Sequence, residues 1–272
     1  MIVCNMGASL YEPINVYKPV APNIGIVDGP FEYLTVGGVT MPLPFTTRLT
    51  VVHLSNGDLF LHSPIKFDGR LANELLGLGA VRHLVSPNQF HYAHIGEWAK
   101  AFPNAVPWAS PRVRKRARAR HVDVNFTRDL DASPAEEWRQ EIDQTLFPGG
   151  YFKEFIFFHK TSKTLILTDT IINIELDKVT EPWRTATKLT GMYYPFGQVS
   201  SGCACRYSSN GRRRRRQSEK FTRGNRNVFC SAMADVSMRM PTKQSVEYSE
   251  SRHVKSGLSA LSLERLPSPW RV

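Results

Sequence analysis

The positive charge of this 272-residue chain is concentrated in its last quarter, and that asymmetry limits which part of it can fold. The whole sequence has a net charge of +11, from 35 Lys and Arg against 24 Asp and Glu. Residues 200–272 hold 15 of the basic residues but only 5 of the acidic ones, with 14 serines and a run of five arginines from Arg212 to Arg216. This segment lacks apolar periodicity, so burial of apolar surface cannot offset the entropy lost on ordering it. We therefore predict that 200–272 is disordered and that the folded domain ends near Val199.

Composition and length place the rest of the chain among ordinary folded proteins. With 42% hydrophobic residues, the chain is long enough to bury a core of its own. Its four cysteines rule out a scaffold built from disulfides. No run of about eighteen apolar residues is present to span a membrane, and the first residues lack the pattern of a secretory signal. We expect a cytoplasmic location, with the nucleus as an alternative because the arginine run resembles an import signal.

Residues 46–199 alternate between strand and helix patterns, which is typical of a layered α/β domain. Two apolar runs, 49–54 and 59–62, are separated by Asn56 and Gly57, a pair that supplies the positive φ of a tight hairpin. Residues 1–45, rich in Pro and Gly, are interpreted as an extension with one hairpin. The remaining patterns predict helices at 70–78, at 90–102 and after Ser110, and strands at 81–85, 106–109, 121–124, 142–147, 152–158 and 165–167.

The first candidate site follows the predicted strand 81–85. It contains His91 and His94, three residues apart at the start of a predicted helix. Ligands of α/β proteins bind where strands end and helices begin, and two imidazoles at this spacing can converge on a metal ion or a substrate oxygen. Histidines at a helix start also serve commonly in capping or packing, so both interpretations stay open.

The second candidate is Asp169, which follows the apolar strand 165–167 at the rim of the predicted sheet. Its carboxylate could bind a metal, act as a base or cap the next turn, and capping is the commoner case. Glu154 and His159 lie on the neighbouring predicted strand. With a period of two their side chains point to opposite faces, so we do not expect these two residues to share a site.

Four short motifs together carry a resemblance to a known family. They are His62-Ser63-Pro64, Ser86-Pro87-Asn88 with His91 and Trp98, Phe157-Phe158-His159, and the stretch from Leu165 to Asp169 with Asn173. Across about residues 46–199 the chain resembles an uncharacterised domain-of-unknown-function family, which is distantly related to the metallo-β-lactamase-like hydrolases. The resemblance implies an αββα sandwich, with two mixed sheets face to face, helices outside and metal ions at one rim. The sandwich is expected to be incomplete at its C-terminal end, since 200–272 shows no closing strand, Ser-His-Gly turn or final helix.

The metal site that this resemblance implies is depleted here. Related hydrolases carry a turn of the form His-x-His-x-Asp-His, and the matching positions of this chain are Gln89, His91, Ala93 and His94. Asp169 matches the carboxylate that bridges two metals in those hydrolases. The remaining ligand set is His91, His94 and Asp169, and three ligands can hold one zinc ion with an open position. We expect one zinc at most, in a pocket lined by His62, Asn88, Gln89 and His159.

The expected function is that of a metallo-β-lactamase-fold protein with a depleted metal site. Such a protein is either a weak hydrolase of a small ester, thioester or lactone, or a relative without activity. One alternative is a nucleic-acid-associated protein that contacts phosphates through its basic tail, including Arg212 to Arg216. The basic stretch 112–120 could add to such binding or form a solvated helix face. A third interpretation is an interaction domain without catalysis.

The composition of 200–272 also raises the hypothesis that this segment is out of frame. With permitted codons, the neighbouring reading frame around Cys230 spells Leu-Ser-His-Gly, which is the turn missing from the printed frame. We hypothesise that a frameshift or mis-spliced gene model begins between Gln198 and Ser201.

Overall fold

The computed structural model of the chain describes residues 7–36, 39–149, 151–195, 197–199, 227–230 and 236–239. Side chains are described for these residues except 34–36, 39–44, 199 and the last two segments. The hypotheses of disorder, of a frameshift and of phosphate binding by Arg212 to Arg216 fall on residues outside these ranges, apart from two short strands given below.

A seven-stranded sheet forms the first layer, with its strands in sequence order. The strands are β1 (Tyr17–Ala21), β2 (Ile24–Val36), β3 (Val39–His53), β4 (Asp58–His62), β5 (Ala80–Val85), β6 (Val106–Ala109) and β7 (Arg128–Asp129). The pairs from β1 to β4 are antiparallel, and those from β4 to β7 are parallel. The β3–β4 hairpin turns at Gly57, whose φ of +86° is in the region that favours glycine. This confirms the hairpin predicted from Asn56 and Gly57.

A five-stranded sheet forms the second layer. Its strands are β8 (Ile142–Phe147), β9 (Glu154–His159), β10 (Thr164–Leu167), β13 (Asn227–Cys230) and β14 (Val236–Arg239), in the order β14-β13-β10-β9-β8. A small separate sheet pairs β11 (Ile171–Ile172) with β12 (Gln198–Val199). The sequence pattern assigns no strand to the segment that contributes β13 and β14, yet the backbone of β13 pairs in parallel with β10.

Four short α-helices connect the strands. They are α1 (Gly69–Leu76), α2 (Ile95–Ala101), α3 (Val113–Ala119) and α4 (Trp183–Thr190), and a 3-10 turn spans Leu176–Lys178. Asp68 caps α1, because its carboxylate accepts hydrogen bonds from the backbone N–H groups of Arg70 and Leu71. No described helix is both long and apolar enough to cross a bilayer.

Two hydrophobic clusters show how the layers are stacked. The first joins β3, β4 and β5 to α1, α2 and α3, so these helices cover the outer face of the seven-stranded sheet. The second lies between the two sheets, where Trp138 meets Phe60 and Trp108 edge to face, with ring centroids 5.0 and 4.6 Å apart. Such contacts between buried aromatic rings add to the stabilisation from burial itself. The two face-to-face sheets confirm the predicted α/β sandwich.

Three details of the sequence prediction differ from the structure. The N-terminal boundary at residue 45 falls inside β3, since β1 and β2 continue the first sheet. Pro19 of β1 and Pro30 of β2 are tolerated there because each lies at a register shift, between Pro19 and Ala21 and between Asp28 and Phe31. The strand predicted at 121–124 is wrong: Val122 and Val124 pack against the first cluster from a loop, and the strand is β7. The predicted helix at 90–102 begins only at Ile95, and turns precede it.

Candidate active site

The ends of four strands bring the candidate residues to one edge of the sandwich. The parallel strands β4 and β5 end side by side, with the N–H of Ser63 donating to the carbonyl of Val85 at 2.9 Å. In the second sheet β9 begins and β10 ends at the same edge, because these strands are antiparallel. The N–H of Phe155 in β9 donates to the carbonyl of Pro87 at 2.8 Å, which ties the segment after β5 to the second sheet.

Glu154, at the start of β9, anchors the end of β10. Its carboxyl group is fully buried and accepts the backbone N–H groups of Thr168 at 2.6 Å and Asp169 at 2.8 Å. Burial, together with the nearby Asp169 carboxylate, raises the pKa of Glu154 to about 7, although the hydrogen bonds from Thr168 and the proximity of His91 oppose the shift. Glu154 therefore determines where Asp169 lies.

Asn88 orients the side chain of Asp169. Its amide nitrogen lies 2.8 Å from Oδ2 of Asp169 and 2.9 Å from Oγ1 of Thr168, and its amide oxygen accepts the N–H of Phe90. Asn88 is fully buried, and its amide nitrogen is also 3.4 Å from Oε2 of Glu154. With donor and acceptor both engaged, the amide holds the Asp169 carboxylate in one direction, toward His91.

His91 lies between a carboxylate and a hydroxyl. Its Nε2 is 3.2 Å from Oδ2 of Asp169, and its Nδ1 is 2.6 Å from Oγ of Ser63. An ionised carboxylate only accepts, so we assign the imidazole proton to Nε2, which leaves Nδ1 to accept the hydroxyl proton of Ser63. Ser63 has a φ of +58°, an unusual value for a residue other than glycine. The result is a continuous chain of hydrogen bonds from Ser63 through His91 to Asp169.

His94, the third predicted ligand, is paired elsewhere. Its Nε2 lies 3.0 Å from Oε1 of Glu32 and its Nδ1 lies 3.4 Å from Oε2 of Glu97. The structure thus brings His91 and Asp169 together and directs His94 to other acids. Within the described ranges no group of three or more His, Cys, Asp and Glu side chains is arranged to hold a metal ion.

The other four predicted residues differ in their surroundings. His62 is fully buried, its ring meets Phe157 edge to face at 5.3 Å, and neither ring nitrogen has a hydrogen-bond partner among the described residues. Burial, with a smaller effect of His91, lowers the pKa of His62 to about 3.

Asn88 and Gln89 are buried at the site edge. His159 lies at the far end of β9 from Glu154, roughly 16 Å along the strand, and binds Ser162.

A pocket of about 410 Å³ opens beside the Ser63–His91–Asp169 chain of hydrogen bonds. All three of these residues line it, as does His94, whereas His62, Asn88, Gln89 and His159 lie outside its lining. Its walls are largely apolar and aromatic, from Ile65, Phe90, Tyr92, Tyr151, Phe152 and Ile172. Arg116 of α3 also lines it, with its guanidinium carbon 4.6 Å from the ring centroid of Phe90.

Ser63 is a functional candidate that the sequence patterns do not single out. The residue stands in the His62-Ser63-Pro64 motif, but there it contributed only to the resemblance. A serine that follows an apolar strand in an α/β domain, with an unusual backbone conformation, is the signal that could have pointed to it. The second half of that signal is visible only in the structure.

The family model described as "Domain of unknown function (DUF4336)" matches residues 35–185, more than half of the chain. The chain belongs to this family. Membership in DUF4336 confirms the resemblance drawn from the motifs. No curated protein matches the sequence.

Solved structures similar to this DUF4336 chain include the metallo-β-lactamases DIM-1 and FIM-1. The TMB-1 structure has a TM-score of 0.44 at 12% identity, covering 65% of this chain and 84% of that one. The DIM-1 metallo-β-lactamase has a TM-score of 0.44 at 13% identity, over 68% and 85% of the two chains. FIM-1 from Pseudomonas aeruginosa, in its mono-zinc form, has a TM-score of 0.43 at 10% identity, over 57% and 69%.

Proposed function

We propose that this chain is a weak hydrolase of a small ester, thioester or lactone, acting in the pocket beside His91. The observation that carries the proposal is the position of His91, whose imidazole lies between Asp169 and Ser63 on the pocket wall. A histidine held in this way can take a proton from an attacking oxygen and pass it to a leaving group.

The partners of His91 suit it to this work. The Asp169 carboxylate holds one tautomer of the ring and stabilises the imidazolium that forms after proton transfer. Asn88 and Glu154 hold Asp169 from the other side, through the hydrogen bonds described above. Little reorganisation is needed when the proton moves, because these groups are already in place.

The pocket favours an apolar acyl group that also carries a negative charge. Its aromatic walls supply contact area, and Arg116 presents a guanidinium group on the same wall. The carboxylates that line the pocket, Glu32 and Asp169, are already paired with His94 and His91. An anionic group on the substrate is therefore expected near Arg116.

Zinc does not fit the arrangement of the predicted ligands. Both ring nitrogens of His91 are occupied by Ser63 and Asp169, and those of His94 face Glu32 and Glu97. A metal bound by His91, His94 and Asp169 would replace these contacts. The hydrolysis proposed here therefore runs through imidazole and carboxylate groups alone.

The nucleic-acid alternative involves two basic stretches, of which the structure describes 112–120. In α3, Arg114 pairs with Asp129, and Arg116 stacks on Phe90 at the pocket. The other basic side chains of this stretch are exposed: Arg112, Lys115, Arg118 and Arg120. The proposal that the tail binds nucleic acid rests on Arg212 to Arg216, outside the described residues.

The test is hydrolysis of a panel of nitrophenyl esters and thioesters, neutral and anionic, by the wild type and two variants. His91→Gln removes the base, and we expect kcat/KM to fall by about 100-fold or more. His53→Gln is the matched control, since His53 ends β3 at the opposite edge of the sheet, and its activity should equal that of the wild type. Loss of activity on chelation, with zinc at one equivalent by elemental analysis, would contradict the metal-free route. Equal activity of His91→Gln and wild type would contradict the proposed function.

A further inference from the structure

We propose that Ser63 is the nucleophile of this site and forms a covalent acyl intermediate. The inference rests on the proposed function and deepens it. It replaces an attacking water with a side-chain oxygen, in a fold for which the sequence resemblance implies metal chemistry.

The position of Ser63 is that of a nucleophile rather than of a loop serine. The residue follows β4 directly, at the edge where the parallel strands end, and it lines the pocket. Its φ of +58° lies in the left-handed region, which is costly for a non-glycine residue. Such strain persists where the surrounding structure holds it, and here the N–H of Ser63 is bonded to Val85.

The hydrogen bonds to Ser63 point in the direction that activates its oxygen. The hydroxyl donates to Nδ1 of His91 at 2.6 Å, and Nε2 of His91 donates to Asp169 at 3.2 Å. The three residues are 28 and 78 positions apart in the chain, so the fold and not local sequence joins them. A serine, a base and a carboxylate that orients the base form the arrangement that activates a hydroxyl nucleophile.

The reaction divides into two balanced steps. In the first, Oγ of Ser63 attacks the carbonyl carbon while its proton passes to Nδ1 of His91. The bond to the leaving oxygen or sulfur then breaks, and the leaving group takes that proton, which leaves Ser63 acylated. In the second step a water attacks the acyl carbon and gives its proton to Nδ1. The proton returns to Oγ as the acid departs.

A fluorophosphonate probe tests the nucleophile separately from turnover. The full-length wild type should gain the mass of one phosphonyl group, on the peptide that contains Ser63. Rapid mixing with a nitrophenyl ester should release a burst of about one equivalent of nitrophenolate.

Two variants make the test specific. Ser63→Gly removes the hydroxyl and suits the positive φ, so the variant should fold at least as well as the wild type. We expect it to lose labelling, the burst and about 100-fold or more in kcat/KM. Ser110→Ala is the matched control, because Ser110 follows β6 at the same edge, is buried and lies outside the pocket lining. It should keep both labelling and turnover.

The outcomes separate this inference from the proposed function. If Ser63→Gly keeps full activity while His91→Gln loses it, Ser63 is not the nucleophile. The protein would then be a hydrolase in which His91 activates a water molecule. Labelling of wild-type Ser63 without turnover of any ester or thioester would support the nucleophilic role of Ser63 and contradict the proposed hydrolase function. Labelling at another residue, or an absence of labelling, would overturn the nucleophile.

Discussion

The histidines at the edge of the sandwich differ sharply from those between its two sheets. At the edge, the side chains of His91 and His94 are 14% and 16% exposed, and each is paired with a carboxylate. Between the sheets, His62 and His83 are buried against aromatic rings, with Phe157 5.3 Å from His62 and Trp138 5.1 Å from His83.

The surroundings of an imidazole, and not the sequence motif that contains it, therefore determine what it does. Burial lowers the pKa of both His62 and His83, so they stay neutral and act as aromatic packing groups. His91 instead keeps a carboxylate on one nitrogen and a hydroxyl on the other. The sequence motif His62-Ser63-Pro64 thus supplies a packing residue and a site residue next to each other.

The strongest test of this comparison is the acid stability that His62 controls. The pKa of His62 is about 3 in the folded chain, against 6.5 ordinarily. As pH falls below 6.5, His62 becomes protonated in the unfolded chain but stays neutral in the folded chain. The folded chain therefore loses stability progressively down to pH 3. The loss is on the order of 5 kcal/mol. His62→Phe should abolish this contribution, as measured by urea unfolding between pH 7 and pH 4.

The control for that measurement is His53→Phe. His53 is half-buried at the opposite edge of the sheet, so His62→Phe should change the acid dependence of unfolding more than this variant does. If His62→Phe keeps the acid dependence of the wild type, then His62 is protonated in the folded chain. The contrast between edge and interior histidines would then not hold.

Glu154 has a second and smaller effect on the pH dependence of folding stability, opposite in sign to that of His62. Its pKa is about 7 in the folded chain, against 4.5 ordinarily, so the folded chain holds the proton more tightly. Stability from this group is present below pH 4.5 and is lost as pH rises through 7, by roughly 3 kcal/mol. Glu154→Gln mimics the protonated acid, so the wild type should lose its stability advantage over this variant across that range.

Glu136→Gln serves as the comparison for Glu154, because Glu136 is exposed and pairs with Arg139. The unfolding free energy relative to the wild type should change more with pH for Glu154→Gln than for Glu136→Gln, since Glu154 is the buried group of the two. An advantage of wild type over Glu154→Gln that grows with rising pH would show that the buried group is stabilised as a carboxylate.

The smallest effect is expected for His94→Gln. The partners of His94, Glu32 and Glu97, have side chains 35% and 48% exposed, and ion pairs this open contribute about 1 kcal/mol or less. The kcat/KM of His94→Gln for ester hydrolysis should stay within about threefold of the wild-type value, because His94 lies outside the proposed path of proton transfer. A fall as large as that of His91→Gln, accompanied by loss of bound zinc, would restore the shared metal site that the resemblance implied.

Much of the fold could be predicted because strand and helix patterns are local. The Asn56-Gly57 hairpin and the strands that became β5, β6, β8 and β10 follow from apolar runs and turn residues in the sequence. The predicted strand at 121–124 failed for a physical reason: a short alternation of apolar residues also suits a loop whose Val122 and Val124 pack on a core.

Neighbouring residues in the chain are enough to predict that imidazoles follow one strand and that Asp169 follows another. The pairing of His91 with Asp169 and Ser63, and of His94 with Glu32, 62 positions away, depends instead on the packed fold. Strand pairing and the packing of the two sheets set which strand ends become neighbours. Hydrogen bonds form only between groups that this packing brings within about 3 Å of each other.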